Sequence, residues 1–498
     1  MKNKILVALA VVLIPAGYFI NRTIVSRGAA SDFRDAPISG AFDQLGGSSS
    51  PEVTPVPEAA PALGHETAPA AFKQAPARQK EWTVMVFINA KNNLDPAGIM
   101  NVNDMERIGS TDKVNIVAEF GRMKGQQGAP AAAGDWDGVR RYYITKNDDP
   151  DRILSPALQY LGPVDMGDPQ TAVDFVKWSK RHFPAKKYLF IMWNHGGGWM
   201  SGVSSDDETG HVINAKKIGE VARQIGGVDV LAFDACLMQM AEVAYEVKDY
   251  AKVVVGSEET IPGMGYPYSI FLSALAENPA MGPEALGAAI VDAYGAYYSA
   301  FKNYKLNATG KGDVGVTLSA IRTSKLPELA ARIREFATLA RASRDKNAMK
   351  IAKTGTTRYG VFGGYDQLYT KTPYADLYSF VKLFSWQLDR KARNAAALKQ
   401  SADGLKDFIS KSLVIKNVAI GDDPLGHPIT ESYGISVYMP PTSPSMTKDK
   451  IDRMANIPYA DLDFNKRTDW LDFVIFMYKI ELMEGRELPA QSDNVEFS

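Results

Sequence analysis

One histidine and one cysteine of this sequence each follow an apolar run that ends abruptly. His195 comes after the run at residues 188–193 and precedes three consecutive glycines. Cys236 is the single cysteine of the chain and comes after the run at residues 228–233. A neutral imidazole within hydrogen-bond reach of a thiol can accept its proton, and the sulfur can then attack a carbonyl carbon. Together the two residues predict a cysteine hydrolase.

The glycines after His195 provide a place for the negative charge that develops during acyl transfer. A glycine backbone turns sharply and comes close to a ligand because it carries no side chain. We expect backbone amides of this turn, those of Gly196 and Gly197, to stabilise the developing oxyanion. Alternatively, the histidine is a structural hydrogen-bonding residue and the glycines form a loop. Asn194 either orients the imidazole or ends the strand.

Two groups near Cys236 bear on its chemistry. A helix is predicted to begin just after the cysteine, and helix amides and the positive end of the dipole favour the thiolate. Asp234 ends the preceding strand, where its carboxylate could also cap that helix. The alternative for Cys236 is a buried structural cysteine.

The elements that must position these residues alternate between strands and helices. Continuous apolar strands alternating with helices predict an α/β fold with a mostly parallel sheet covered on both sides. Reactive groups of such sheets gather beyond the carboxyl ends of the strands. His195 and Cys236 are separated by one predicted helix, so a right-handed βαβ unit brings them side by side. The strands are predicted at residues 82–89, 114–120, 188–193, 228–233 and 252–256.

The remainder of the chain divides into parts of different composition. Residues 31–80 are rich in Ala, Pro, Ser and Gly and predict a disordered linker. Residues 81–270 form the predicted catalytic core. Residues 271–498 are predicted to be mainly helical and to contribute strands to the same body, with strand candidates at residues 314–321 and 433–439.

The N-terminus indicates export. Lys2 and Lys4 precede an uncharged, mostly apolar run at residues 5–20. Such a run is typical of a signal peptide or, since it is short and interrupted by Pro15 and Gly17, of a marginal membrane anchor, and this part spans residues 1–30. The protein is therefore expected to be periplasmic, cell-surface or secreted, with a membrane tether as one alternative.

Composition excludes several other classes. The chain has 498 residues, with 56 Lys and Arg against 57 Asp and Glu, so no basic surplus indicates a nucleic-acid partner. Charged residues make up 23% and hydrophobic residues 45%, the balance of a soluble globular protein. A single cysteine allows no intramolecular disulfide, and five scattered histidines predict no transition-metal site.

The sequence resembles the clostripain family of cysteine peptidases, within the wider caspase-like group. The resemblance is carried by the paired His-Gly and Asp-x-Cys motifs and covers nearly everything after the linker. Its strongest stretches are Trp-Thr-Val-Met-Val-Phe-Ile-Asn-Ala-Lys-Asn-Asn-Leu at residues 82–94, Trp-Asn-His-Gly-Gly-Gly-Trp at 193–199, Asp-Ala-Cys-Leu-Met at 234–238 and Ile-Pro-Gly-Met-Gly-Tyr-Pro-Tyr at 261–268.

The resemblance implies endopeptidase action on protein or peptide substrates by a dyad of His195 and Cys236. It also implies a caspase-like three-layer α/β/α sandwich and a role for Asp234 in the S1 pocket. A carboxylate there suits Arg or Lys at P1. The second acid that basic-specific members carry is replaced by Met264, for which Glu258 and Glu259, just upstream, could compensate.

The resemblance implies no required cofactor, although some members of the group depend on calcium. Residues 204–210 are acidic, and Asp206 and Asp207 are the candidate calcium ligands. A solvated acidic hairpin is the favoured alternative. Some members also mature by self-cleavage between the two motifs, where Lys216 and Lys217 lie.

Two other functions fit parts of the pattern. A non-catalytic surface module could retain the scaffold to bind peptides or glycans, because a fold does not guarantee a function. A transpeptidase would share the acyl-enzyme intermediate and pass the acyl group to an amine. The thiol of Cys236 beside an imidazole favours an enzyme, since binding alone requires neither group.

Overall fold

The structure, a computed structural model, describes most of the chain between residues 79 and 484. The predicted signal or anchor at residues 1–30 and nearly all of the predicted linker at 31–80 lie outside the described residues. Within the described part, no helix is long and apolar enough to cross a membrane. The described ranges are 79–126, 128–300, 315–362, 370–371, 373–392, 394–422, 428–441 and 447–484.

The strands form where apolar and β-branched residues run together. β1 (Lys80–Ala90) is buried along nearly its whole length, as expected for a central strand covered on both faces. The other strands are β2 (Val114–Arg122), β3 (Gly138–Tyr143), β4 (Ala157–Gly162), β5 (Ala185–Trp193), β6 (Val203–Asp206), β7 (His211–Ile213), β8 (Val228–Asp234), β9 (Ala251–Gly256), β10 (Val316–Arg322), β11 (Val361–Phe362), β12 (Thr370–Lys371), β13 (Tyr374–Asp376), β14 (Val414–Ile420) and β15 (Ser436–Tyr438).

Nine strands of the described chain form one mixed sheet, in the order β14-β10-β9-β8-β5-β1-β2-β3-β4. The central strands β9, β8, β5, β1 and β2 are parallel. β10 and β14 extend one edge in antiparallel fashion, and β3 and β4 extend the other. The parallel centre brings the carboxyl ends of β5 and β8 to the same edge.

Helices connect the strands and continue through the C-terminal half. The α-helices are α1 (Asp95–Glu106), α2 (Pro169–His182), α3 (Gly198–Ser201), α4 (Ala215–Gln224), α5 (Ala241–Glu246), α6 (Tyr268–Glu277), α7 (Pro283–Ser299), α8 (Leu326–Ser343), α9 (Lys346–Gly355), α10 (Leu377–Gln387), α11 (Ala395–Phe408), α12 (Lys448–Met454), α13 (Asp463–Thr468) and α14 (Trp470–Glu484). A π-helical turn, Ile409–Leu413, follows α11.

Two hydrophobic cores lie on opposite faces of the sheet. Val84 and Val86 of β1 belong to a core shared with α1, α6 and α7. Met85 and Phe87, which point the other way, belong to a core shared with α2, α4, α5 and the C-terminal helices α8 to α14. The predicted three-layer α/β/α sandwich with a mostly parallel sheet and a largely helical C-terminal region is therefore confirmed.

The edges of the sheet depart from the prediction. β3, β4 and β14 have no continuous apolar run. β4 and β14 are the edge strands, which are only partly buried and tolerate charged residues such as Lys416. β3 lies inside β4 and is mostly buried, and its Arg141 is paired with Glu119 of β2. The strand predicted at residues 433–439 is the short β15, which pairs with β13 in a separate two-stranded sheet.

Candidate active site

β5 and β8 bring His195 and Cys236 to the same edge of the sheet. Each residue lies two positions beyond the end of its strand, and the last strand residues, Trp193 and Asp234, are opposite each other in parallel register. The Gly196 backbone lies directly against the cysteine, since a Cβ built on Gly196 would be 2.3 Å from the carbonyl oxygen of Cys236. A glycine is therefore required after the histidine.

The glycine turn is held by two hydrogen bonds, both made by the Gly197 backbone. The Tyr374 hydroxyl donates to the Gly197 carbonyl at 2.6 Å. The Gly197 amide donates to the Gly202 carbonyl at 2.9 Å, so it is already engaged and does not face the sulfur. Gly198 has φ of 64°, which favours glycine. Of the two amides predicted to stabilise an oxyanion, only that of Gly196 hydrogen-bonds Cys236.

The sulfur of Cys236 accepts hydrogen bonds from backbone amides on two segments. The Ile261 amide donates to Sγ at 3.2 Å, and the Gly196 amide is the second donor. Burial raises the pKa of the thiol to about 11, with smaller contributions in the same direction from the Glu259 and Asp234 carboxyls, while the two amides lower it. At neutral pH Cys236 is therefore a thiol.

The prediction that the start of a helix favours the thiolate of Cys236 is wrong, because burial outweighs the effect of the helix. α5 begins only at Ala241, and Met240 at its N-terminus follows a turn. Within that turn Leu237 has φ of 62°, a conformation that non-glycine residues rarely adopt and that concentrates at functional sites. Because the field of a helix terminus falls off within one turn, the short α5 offsets little of the burial of Cys236.

His195 is neutral as well. Burial lowers the pKa of its imidazole to about 4. Its Nε2 is 2.7 Å from Oδ1 of Asn93, a residue in the loop after β1. Among the described contacts, the imidazole and the thiol are hydrogen-bonded to Asn93 and Ile261 rather than to each other. Proton transfer between them therefore stays a prediction.

Asp234 is a buried carboxyl next to the cysteine. It accepts hydrogen bonds at 3.0 Å from the Tyr266 amide and the Tyr268 hydroxyl, and burial raises its pKa to about 7. It does not cap α5, which has no side-chain cap. A Cβ on Gly265 would be 2.8 Å from Oδ2 of Asp234, so the Gly265 backbone packs closely against the carboxyl and leaves no room for a side chain at this position.

The other two predicted S1 residues have different surroundings. The Met264 carbonyl accepts a hydrogen bond from Asn101 at 3.0 Å, which places this residue in the segment beside Asp234. Glu258 is turned toward the C-terminal half: its Oε2 accepts a hydrogen bond from the Gly434 amide at 2.9 Å. Burial and the adjacent Asp376 carboxyl raise the pKa of Glu258 well above its usual value.

A sequence model of the clostripain family of C11 peptidases matches residues 86–481. The chain belongs to the clostripain family. Clostripain from Hathewaya histolytica is 29% identical over a stretch that covers 38% of this chain and 41% of that protein. The chain thus matches less than half the length of this curated relative.

Two solved structures share the fold. A secreted C11 cysteine protease from Bacteroides thetaiotaomicron, in complex with an irreversible peptide inhibitor, has a TM-score of 0.54 at 20% identity and covers 78% of this chain and 99% of its own. An inactive zymogen C11 protease from Parabacteroides distasonis has a TM-score of 0.54 at 19% identity and covers 79% and 99%. The clostripain-family sandwich is therefore caspase-like.

The acidic segment of this clostripain-family chain forms the antiparallel hairpin β6–β7. Asp206 is fully buried and pairs at 3.0 Å with the Lys91 ammonium, which also lies 2.6 Å from Glu208. Burial raises the pKa of Asp207, and the neighbouring Asp206 contributes in the same direction. Within the described ranges, no three His, Cys, Asp or Glu side chains form a group that could hold a metal ion.

Of the three asparagines that hold this hairpin against the site, only Asn194 was singled out from the sequence. The side-chain amides of Asn89, Asn92 and Asn194 each donate to the Ser205 carbonyl at 3.0 Å. Asn194 therefore ends its strand and does not orient the imidazole. The available signal was the pair of adjacent asparagines just beyond β1, at the carboxyl edge where reactive groups gather.

Proposed function

We propose that this chain is an exported cysteine endopeptidase in which Cys236 is the nucleophile and His195 transfers the proton. The observation that carries the proposal is the register of β5 with β8, in which Trp193 and Asp234, each two positions before a candidate residue, are direct neighbours. Membership of the clostripain family supports the same chemistry. The apolar run at residues 5–20 supports export.

The neutral state of both groups determines the order of events. With a thiol pKa of about 11 and an imidazole pKa of about 4, an ion pair is strongly disfavoured before substrate binds. The proton of Sγ therefore moves to His195 as the S–C bond to the scissile carbonyl forms. The imidazolium then protonates the leaving amine as the C–N bond breaks, and water hydrolyses the thioester. The Gly196 amide is the proposed oxyanion donor.

Covalent labelling tests this proposal directly. An irreversible peptidyl inhibitor is expected to add one equivalent to Cys236, because bound peptide brings its electrophile to the sulfur and lets His195 take the proton. Iodoacetamide, which needs the free thiolate, should react at pH 8 about 100-fold more slowly with native protein than with urea-unfolded protein, and faster as pH rises toward 11. Intact mass and peptide mapping measure both reactions.

The labelling outcomes separate the alternatives. Absence of inhibitor adduct, together with absence of cleavage in a peptide library, would leave the non-catalytic binding module. Adduct formation with transfer of the acyl group to an added amine, rather than to water, would indicate a transpeptidase. Iodoacetamide reacting below pH 7 as fast as it does with unfolded chain would contradict the raised pKa of the Cys236 thiol.

We also propose that Asp234 sets a preference for Arg or Lys at P1. Asp234 ends the strand that delivers Cys236, two residues before the cysteine, and its buried carboxyl lies beside the segment that carries Tyr266 and Tyr268. A buried carboxylate forms strong charge-assisted hydrogen bonds. Asp234→Asn is expected to lower kcat/KM for a basic P1 about 10- to 100-fold, with little change for Ala or Leu at P1. A P1-varied peptide library measures the change.

The preference for basic P1 residues should depend on pH through the ionisation of Asp234. Because burial raises the pKa of Asp234 to about 7, its charged form grows as pH increases through that value. The ratio of kcat/KM for Arg over Ala at P1 should therefore rise with pH near 7 and become flat in Asp234→Asn. Asp229→Asn, at the opposite end of β8, is the matched control. A wild-type preference for uncharged P1 would refute the assignment.

A further inference from the structure

The hydrogen bond between Asn93 and His195 identifies which nitrogen of the imidazole is protonated. The Oδ1 of Asn93 only accepts, so the nitrogen at 2.7 Å, Nε2 of His195, carries the ring proton. A neutral imidazole has one proton, which leaves Nδ1 with the free lone pair. The nitrogen available to take a proton from a nucleophile is then Nδ1.

The loop that carries Asn93 is fixed on both sides. The side-chain amide of Asn92 donates to the Ser205 carbonyl at 3.0 Å, and the Asp207 amide donates to the Lys91 carbonyl at 3.0 Å. Lys91 is buried in its ion pair with Asp206. Asn93 is therefore presented by a backbone tied to the β6–β7 hairpin, which limits the movement of its carboxamide.

Among the described residues, Asn93 is the side chain that forms a hydrogen bond with the His195 imidazole. The adjacent Asn194 is engaged with the Asn89 and Ser205 carbonyls and is not bonded to the ring. Burial alone accounts for the lowered pKa of His195, with no contribution from a neighbouring charge. When the ring becomes an imidazolium during catalysis, the partner of its Nε2–H is thus a neutral amide oxygen rather than a carboxylate.

We infer that Asn93 is a positioning residue that holds the proton on Nε2 of His195 and directs Nδ1 toward the Cys236 thiol. The inference rests on the proposed cysteine peptidase function and adds a third, positioning residue to the dyad. Beside a neutral amide, the imidazole accepts a proton but holds it only transiently. This suits both the uptake of the proton from Sγ and the delivery of the proton to the leaving amine.

Three variants of the full chain test the role of Asn93. Asn93→Ala is expected to lower kcat about 10- to 100-fold with KM within about twofold, the range that a hydrogen bond to a developing charge contributes. Asn93→Asp keeps an acceptor oxygen and should recover much of the loss. It should also move the acid limb of kcat/KM to higher pH, because a carboxylate raises the pKa of the imidazole. Asn147→Ala, which alters a half-buried loop asparagine elsewhere, is the control.

The ring proton itself can be observed without activity. The chain has five histidines, so ¹⁵N-histidine labelling of the whole protein and comparison with His195→Gln identifies the signals of His195. We expect the Nε2–H tautomer in wild type and a mixture of tautomers in Asn93→Ala. Far-UV circular dichroism and Tm of the variant show whether it folds.

Failure of this inference is distinguishable from failure of the proposed function. Wild-type protein without hydrolysis or inhibitor labelling would refute the peptidase proposal, whatever the ring tautomer. Active wild-type protein with an Nδ1–H tautomer, or folded Asn93→Ala with wild-type kcat and pH profile, would refute the positioning role alone. Equal loss in Asn93→Ala and Asn147→Ala would do so too.

Discussion

Replacement of Cys236 by alanine is expected to lower kcat/KM for peptide hydrolysis about 10⁴- to 10⁶-fold, the range seen when a covalent nucleophile is removed. No neighbouring group can take its place, because Cys236 is the single cysteine of the chain. The residual rate should come from binding and the Gly196 amide. Initial rates on the best library peptide measure the loss.

The same experiment needs a control for folding. The sulfur accepts hydrogen bonds from the Ile261 and Gly196 amides, so loss of the thiol removes these two contacts but little volume. Circular dichroism and Tm should therefore stay close to those of wild type. Wild-type protein alkylated at Cys236 is the matched comparison, since it loses the nucleophile without a change of sequence. Hydrolysis that survives in both samples would refute the assignment of the nucleophile.

Replacement of His195 by alanine is expected to lower kcat/KM about 10³- to 10⁵-fold, because the thiol then has no base to take its proton. The double variant with Cys236→Ala should be no worse than the Cys236→Ala variant alone, since the two groups act as a unit. Initial rates of the two single variants and the double variant measure this. Additive losses would show that the histidine and the cysteine act separately.

The pH profile of wild type reports on the same imidazole. Burial lowers the pKa of His195 to about 4, and only the neutral ring accepts a proton, so kcat/KM for a peptide with uncharged P1 should fall as pH decreases through about 4 rather than 6.5. His211→Ala is the matched control, because His211 is exposed and pairs with Asp165. It should keep wild-type rates, and a comparable loss there would argue against a specific role for His195.

Much of the fold could be predicted because its central strands form from short apolar runs that are recognisable in the sequence. The apolar runs that become β1, β2, β5, β8 and β9 have the length and composition of buried parallel strands. Right-handed crossovers between such strands then make β5 and β8 neighbours. The same reasoning did not predict β3, β4 and β14, because their pairing at the sheet edges depends on which strand lies beside them and leaves no continuous apolar run.

The site could be predicted in its residues but not in its protonation. The thiol pKa of Cys236 depends on burial by segments that are distant in sequence, including the Ile261 amide and the Glu259 carboxyl. The S1 candidate Glu258 looks equivalent to other acids in sequence, yet its carboxyl is directed at Asp376 and Gly434. Such directions follow from long-range packing, on which local periodicity carries no information.

The amino-acid sequence alone determined which groups could react and on which strand ends they stand, since the formation of a buried strand from an apolar run is a local property of the chain. Only the tertiary structure decided their charge and partners. It buried the thiol and the imidazole in their neutral forms, and it brought Asn93 from the end of β1 to the imidazole of His195. The physical reason is that desolvation and hydrogen bonding depend on every segment that surrounds a group, whereas residue type and spacing do not.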